Sequence, residues 1–469
     1  MISDGGYLLL VSAIDPRSAV LPGDRPGDIA SLASAERGRC GGTPLGRAAR
    51  PAWRPLRWSE PDYAGEPVMT AGPYPYPFSG GYEKCPSLDL DPMYAQLRET
   101  EPVAQVRTPE GEVVTLVTRH AEVRKVLGQP KLFSREHAAV ADALRPEAFL
   151  VDIEGDRHRA QRDLVKDYFT AAEAEKLRPR AQQITDGLLD AMQASSQPAD
   201  LIELLALPLP ITIICEVLGI PAADRTQFGA WAEALVGLRP GAGEAEMVAT
   251  AEAGTALADY MAKALAERAA RPGSDLLTVL AQADAPQVDA KDRILLAIAV
   301  LVAGFETTAS MLGNMVLLLI GRHRPAWRQL QQQPAWIPTA VDELLRLIPV
   351  DARDGMPRGT TRDTRLGDVL IPQDTAVLVA RAAANRDPRC FDNPDELDLR
   401  RAPNPHLTFG HGPHLCLGAH LARMELQVAL RTLIARFPDL RLAIPEPDLQ
   451  WKHSTMRGLK ALPVRWTRP

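Results

Sequence analysis

The chain has 469 residues, 46% of them hydrophobic and 24% charged, with a formal net charge of -6. That balance fits a globular protein with a large core, and the negative charge argues against overall nucleic-acid binding. Length alone suggests about two to four domains. Cys40, Cys85, Cys215, Cys390 and Cys416 are scattered, odd in number and without a Cys-x-x-Cys pair, which speaks against a disulfide framework or a zinc cluster. A reducing, cytoplasmic setting is the expectation. Residues 1–20 hold only a short apolar patch between Asp4 and Asp15, without the basic start of a signal peptide or the length of an anchor, so a soluble chain is expected.

Pro, Gly, Arg, Ala and Ser dominate residues 16–67, with no sustained period. This composition buries too little apolar surface to offset ordering entropy, so residues 1–68 read as a disordered leader or an extension upstream of Met69. Regular structure begins after Leu88. Asp91-Pro92 opens a short amphipathic helix through Tyr94 and Leu97. The β-rich stretches 103–106 and 113–117 flank Pro109-Glu110-Gly111-Glu112 and read as a hairpin. A helix over 120–127 and a loop over 134–152 follow. Helical periods then predict 157–168, 171–194, 211–218, 222–236 and 244–270, the last two joined by a mobile connection at 238–243. After the long apolar run discussed below come a helix over 338–347, strands near 369–371 and 376–379, and strands and turns over 440–466. Helices far outnumber strands, so the chain reads as mainly α with small peripheral sheets.

The apolar run at 294–320 is long enough to span a bilayer. Glu306, Thr307, Thr308 and Asn314 interrupt it where a charge facing lipid is costly, so it reads as a buried central helix. Burying Glu306 requires a partner or a hydrogen bond. The adjacent threonines are poor helix formers and are expected to bond back to carbonyls one turn earlier.

One cysteine lies in a glycine-spaced loop, Phe409-Gly410-His411-Gly412-Pro413-His414-Leu415-Cys416-Leu417-Gly418, and a helical pattern starts at once after it. A helix N-terminus lowers the pKa of a nearby thiol and favours the thiolate, the form that ligates metal. The glycines let something flat approach the main chain. A lone cysteine is more often a small buried hydrophobe. The glycine spacing and the neighbouring histidine favour an axial ligand of haem.

This loop matches every fixed position of the Phe-Gly-x-Gly-x-His-x-Cys-x-Gly pattern of the cytochrome P-450 family. Ala303-Gly304-Phe305-Glu306-Thr307-Thr308 is similar to the family's signature in the long helix over the haem, and Glu343-Leu344-Leu345-Arg346 resembles its Glu-x-x-Arg motif. His158-Arg159-Ala160-Gln161-Arg162 matches its His-x-x-x-Arg. The resemblance covers 69–469 and implies one mainly α haem-thiolate domain, overruling the count suggested by length.

The resemblance further implies haem b with Cys416 as the iron ligand. Phe409, Gly410 and Gly418 would shape its loop, and His158, Arg162, Arg358 and His414 would meet the propionates. Gly304 would leave room for dioxygen, and Glu306 with Thr307 would hold water and deliver protons. Glu343 and Arg346 would form a buried structural pair. Its usual basic third partner is displaced here, because Glu396 occupies that position and Arg400 or Arg401 must substitute. The substrate pocket would draw on Phe149, Val236, Val302, Val350, Thr455 and Met456. Electrons would come from NAD(P)H through a ferredoxin or flavodoxin and its reductase, docking near Arg157, Arg159, Lys166, Arg423 and Arg431. The implied reaction is hydroxylation of a small specialised metabolite. Oxidative aryl coupling or ring closure on a cyclic dipeptide is the alternative, faintly suggested by Asp354-Gly355-Met356-Pro357-Arg358. A non-catalytic haem sensor is a third reading, which the intact Glu306-Thr307 pair disfavours.

Overall fold

The computed structural model describes residues 73–78, 88–108, 111–137, 150–237, 243–351, 354, 356–452 and 456–467. The leader at 1–68 and the connection at 238–242 lie outside them. In chain order the helices are α1 (Pro92–Thr100), α2 (His120–Gly128), α3 (Gly155–Val165), α4 (Ala171–Ala194), α5 (Pro208–Leu218), α6 (Arg225–Gly237) and α7 (Glu244–Ala270). They continue as α8 (Leu276–Gln282), α9 (Ala290–Ile320), α10 (Arg324–Gln332), α11 (Ile337–Leu347), α12 (Arg381–Ala384) and α13 (Ala419–Arg436).

Strands stay short and peripheral, as expected. They are β1 (Tyr74–Pro75), β2 (Val103–Arg107), β3 (Val113–Val117), β4 (Phe133–Ser134), β5 (Ala199–Asp200) and β6 (Arg358–Thr360). The rest are β7 (Thr364–Leu366), β8 (Val369–Ile371), β9 (Ala376–Val379), β10 (Arg441–Leu442) and β11 (Pro463–Arg465). One sheet has the order β1-β2-β3-β9-β6-β4. Its β2–β3 hairpin pairs Val103 with Val117, and β3 runs parallel to β9. That order seats Arg358 on β6, between β9 and β4.

Local chemistry explains most helix ends. The Asp91 side chain accepts from the Met93 amide at 2.8 Å, with Pro92 in the first turn, so α1 starts as predicted. The expected helix over 157–168 spans Gly155–Val165 and then tightens into a 3₁₀ turn at Lys166–Phe169. Helix α5 begins earlier than predicted, because Pro208 suits a first turn and a π-helical turn at Ile202–Ala206 feeds it. Helices α8 and α10 and strands β6 and β7 were not anticipated from the sequence.

Helix α9 is the centre of the core. The Asp289 side chain caps it by accepting from the Asp292 amide at 2.7 Å, and it runs 31 residues, about 46 Å at 1.5 Å per residue. It is long and apolar enough to cross a membrane, yet 78% of its most hydrophobic window is buried inside the protein. It packs on α5, α7 and α13. A buried core helix was the expectation.

A polar hub pins the N-terminal strap to this body. Asp354 is buried and accepts from the hydroxyls of Tyr76 at 3.0 Å and Tyr94 at 2.6 Å. Burial pushes its carboxyl up to about 6, against the pull of the two tyrosines. Phe78 packs edge-on against both rings.

Candidate active site

The cysteine loop is shaped by two left-handed glycines, Gly410 at φ 77° and Gly412 at φ 76°. At Gly412 a Cβ would lie 2.7 Å from the Leu127 carbonyl oxygen and 2.9 Å from Gly128 Cα, so the loop rests directly on the end of α2. The Cys416 amide closes the turn by donating to the Phe409 carbonyl at 2.8 Å. Cys416 keeps accessible surface although protein surrounds it. A side chain with both properties faces an internal cleft. At Gly418 a Cβ would meet nothing within 4 Å, so space lies there too. Phe409 is half-buried beneath the Arg423 guanidinium, which lies 4.5 Å from the ring centroid.

The expected lowering of the thiol pKa is corrected by the structure. Burial is the largest influence on Cys416 and raises it. The Gly418 N–H and the charges of Arg381, Arg162 and Arg423 pull the other way without overcoming burial. The cations are in place to favour a thiolate once a positive metal centre adds to them.

The basic residues assigned to the propionates have unequal surroundings. Arg162 donates through Nη2 to the Leu415 carbonyl at 2.8 Å, so it braces the cysteine loop. His414 Nε2 lies 3.0 Å from Glu154 Oε2. Burial works to raise the Glu154 carboxyl, but His414, the Arg135 amide and Arg358 hold it low. The His158 ring sits 4.4 Å from that of His414. Burial, then the charges of His414 and Arg162, push His158 down to about 4, and its Nε2 has no hydrogen-bond partner among the described residues. Arg358 is 5% exposed on β6, and its guanidinium makes no hydrogen bond or ion pair among the described residues. Burial, with Arg135 and Arg381 nearby, lowers it to about 9 against the attraction of Glu154, which leaves it charged at neutral pH. Arg381, which no motif pointed to, joins this group. It pairs with Asp351 and donates to the Thr408 carbonyl at 3.3 Å.

Beyond its first turn, the burial of α9 is broken at Ala299, Ala303, Gly304 and Thr307. Positions 299, 303 and 307 are spaced i, i+4, i+8, so one stripe of this core helix looks into open space. Thr307 donates to the Ala303 carbonyl at 3.0 Å and Thr308 reaches the Gly304 carbonyl at 3.5 Å. The back-bonding expected of the threonines is therefore present. Glu306 is buried, and Lys452 Nζ lies 3.9 Å from its Oε1.

A Cβ on Gly304 would come within 2.8 Å of Ile214 Cγ1 and 3.0 Å of its Cδ1. The missing side chain therefore also lets α5 press closely against α9. Of the expected pocket residues, Val302 is buried in the core, Val350 is half-buried, and Met456 is buried where it bridges Asp351. Phe149, Thr455 and the Val236 side chain lie outside the described residues.

Away from the cleft, Glu343 and Arg346 form the buried pair that the family resemblance implied. Both side chains have 0% exposure, with contacts of 2.7 Å from Nε to Oε2 and from Nη2 to Oε1. Arg401 supplies the third partner, its Nε 3.1 Å and 3.0 Å from the two carboxylate oxygens. Arg400 instead stacks on Trp336. Asn404 and the Asp398 amide complete the carboxylate's shell. The carbonyls of Asn385, Pro394 and Glu396 take the remaining guanidinium protons. Only the backbone of Glu396 takes part.

The proposed basic docking face is partly neutralised. Arg157 pairs with Asp292 at 2.8 Å, Lys166 with Asp163 at 2.6 Å and Arg423 with Asp342 at 2.7 Å. Arg159 also pairs with Asp156, while Arg431 is exposed.

A thiol on an internal cleft and a buried cation lacking an anion are what an iron porphyrin with two carboxylates requires. The sequence profile of the family described as cytochrome P-450 matches residues 251–447. The mycinamicin IV hydroxylase/epoxidase of Micromonospora griseorubida is 42% identical over 407 residues, covering 85% of this chain and 100% of that protein. The solved structure of the mixed-function P-450 MycG superposes with a TM-score of 0.76 at 41% identity, covering 84% of this chain and 100% of that one. A cytochrome P-450 with biaryl coupling reactivity gives a TM-score of 0.74 at 38% identity, covering 82% and 98%. The chain thus belongs to the cytochrome P-450 family: it is a monooxygenase of secondary metabolism whose cofactor is haem b with a cysteine thiolate ligand.

Proposed function

We propose that this enzyme hydroxylates a small specialised metabolite in the cytoplasm, with electrons passed from NAD(P)H by a reductase and a ferredoxin or flavodoxin. The balanced reaction is RH + O₂ + 2 e⁻ + 2 H⁺ → ROH + H₂O. The observation that carries this reading is 42% identity to a hydroxylase/epoxidase along that relative's whole length. Haem b supplies the redox centre for dioxygen reduction, and its thiolate ligand donates electron density that favours O–O cleavage.

The protein's own residues do the rest. Cys416 is the iron ligand, held by the Gly410 and Gly412 turns, with Phe409 and Gly418 on either side. Arg358 would give a propionate its buried cation, and His414, His158 and Arg162 would meet the propionates with it. Thr307 on the cleft side of α9 and Glu306 beside it hold water and pass protons, the task for which a carboxyl backed by a hydroxyl is suited. Val302, Val350, Met456, Phe149, Val236 and Thr455 form the substrate wall. The residues from 69 onward form the single catalytic domain, and 1–68 lie outside it.

A panel of candidate metabolites scored by the Soret shift identifies the substrate. Turnover under ¹⁸O₂ then tests the reaction, with one labelled oxygen expected in the product. A second reading, oxidative aryl coupling, draws support from the relative with biaryl coupling reactivity. An unlabelled, dimerised or ring-closed product would favour it and overturn hydroxylation. Thr307→Ala should keep the haem and divert electrons to peroxide. Unchanged coupling would remove Thr307 from proton delivery.

A further inference from the structure

Beside the cleft-facing stripe of α9, Glu306, Ser310 and Asn314 recur at i, i+4 and i+8. The C-terminal hairpin, in which Trp451 pairs with Leu459, meets each of them. Lys452 Nζ lies 3.9 Å from Glu306 Oε1. A Cβ on Gly458 would lie 2.5 Å from Ser310 Oγ, so a glycine is needed for the hairpin to sit this close. Asn314 Nδ2 donates to the Arg457 carbonyl at 2.7 Å. Within the hairpin, the Lys452 amide donates to the Gly458 carbonyl at 2.7 Å, which fixes where the lysine starts. A polar seam therefore docks this hairpin on an otherwise apolar helix, and its first contact is the ion pair.

That end of the seam opens on a cavity of about 90 Å³ lined by Leu207, Ile211, Gly229, Phe305, Glu306 and Lys452. It has room for a few waters. Two opposite charges line a chamber whose other walls are apolar, and burial makes the charged form of each costly unless it is paired or hydrated. The Glu306 side chain keeps 7% of its surface and that of Lys452 keeps 18%. The more open partner is the lysine.

We propose that this chamber is the proton entrance of the enzyme, with Lys452 as a positioning residue that holds the Glu306 carboxylate against its water. The proposal rests on the reading of Glu306 as a proton donor to the dioxygen site. In each transfer Glu306 gives up one proton, and its carboxylate regains one from chamber water, which is replenished from solvent. No electron moves in this step, and the net donor is bulk water. The lysine keeps the carboxylate directed to the supply side, and Thr307 on the adjacent stripe takes the delivery side.

The test uses the haem-loaded enzyme with ferredoxin, reductase, NADPH and dioxygen, in H₂O and D₂O. Dioxygen uptake, peroxide release and the solvent isotope effect are read for four variants. Lys452→Met and Gly229→Leu should each raise the peroxide share and the solvent isotope effect by about twofold or more, with Lys452→Arg restoring both. Gly229 is suited to plugging the chamber, because a Cβ there meets nothing within 4 Å. Glu306→Gln separates the two levels. If it raises the peroxide share while Lys452→Met and Gly229→Leu match the unmodified enzyme, the entrance is overturned and the donor role stands. If Glu306→Gln also matches the unmodified enzyme, the donor role itself falls. Thermal unfolding supplies a readout independent of turnover. The midpoint shifts of Lys452→Met and Glu306→Gln should fail to add in the double variant, and additive shifts would remove the pairing.

Discussion

Arg346 and Arg358 are both buried arginines, and their surroundings are opposite. Arg346 is 1% exposed, and a carboxylate and three backbone carbonyls answer its guanidinium. Arg358 is 5% exposed and makes no ion pair among the described residues, with Glu154 attracting it only from a distance. A buried charge that the protein fully satisfies serves the fold, because removing either partner strands the other. A buried charge that it does not satisfy is a standing cost unless a ligand supplies the counter-charge. The difference separates scaffold from site with no reference to motifs.

That contrast can be broken experimentally. Cys416→Ala has the largest expected effect: complete loss of the thiolate-type carbon monoxide difference spectrum, with the apoprotein's unfolding midpoint little changed. Persistence of the spectrum would remove Cys416 from the iron. Glu343→Gln leaves Arg346 and Arg401 without their carboxylate and should cost about 3–5 kcal/mol, with or without haem, in chemical denaturation.

Asp354 tests a third kind of buried charge, one held by tyrosines. Its folded value of about 6 lies above the ordinary 3.8. The unfolded chain therefore binds fewer protons between those values, and stability falls as pH rises from about 4 to about 6, by roughly 3 kcal/mol over the window. Asp354→Asn should remove that slope. A pH profile identical to that of the unmodified protein would show that another group carries it.

Arg358→Met is the smallest effect and the sharpest. Apoprotein stability should hold or rise, while haem passes to an acceptor protein about tenfold faster, roughly 1.4 kcal/mol. A loss of apoprotein stability like that of Glu343→Gln would erase the distinction between the two arginines.

Much of the molecule could be read before its fold was known, and the failures share a cause. Periodicity places α4 and α7 at the observed bounds, because each buries one face over many turns. It misses α8, which has only seven residues and depends on the Asp275 cap. The cysteine loop was legible because a left-handed backbone selects glycine locally. The close contact of Gly304 with Ile214 was not, because Ile214 belongs to a different helix. Spacing offered Arg400 and Arg401 equally as the third partner of the buried pair, and the nearby Trp336 ring and the depth of Glu343 separate them. The thiol's raised pKa follows from burial, which a linear sequence does not state. Lys452 and Arg381 belong to no short motif, and only tertiary packing brings them to the site.

The seat of Gly412 on the end of α2 also bears on the order of assembly. The cysteine loop touches the chain at Leu127, its His414 meets Glu154, and Leu415 meets Arg162. Each of these partners precedes the loop by more than two hundred residues. On a ribosome, the surroundings of the cofactor are therefore synthesised long before the ligand that fixes it. We expect haem uptake to be a late event, switched on when the loop settles onto α2. Nascent chains arrested before Leu407 should show no thiolate-type absorption, whereas chains carrying α13 should acquire it.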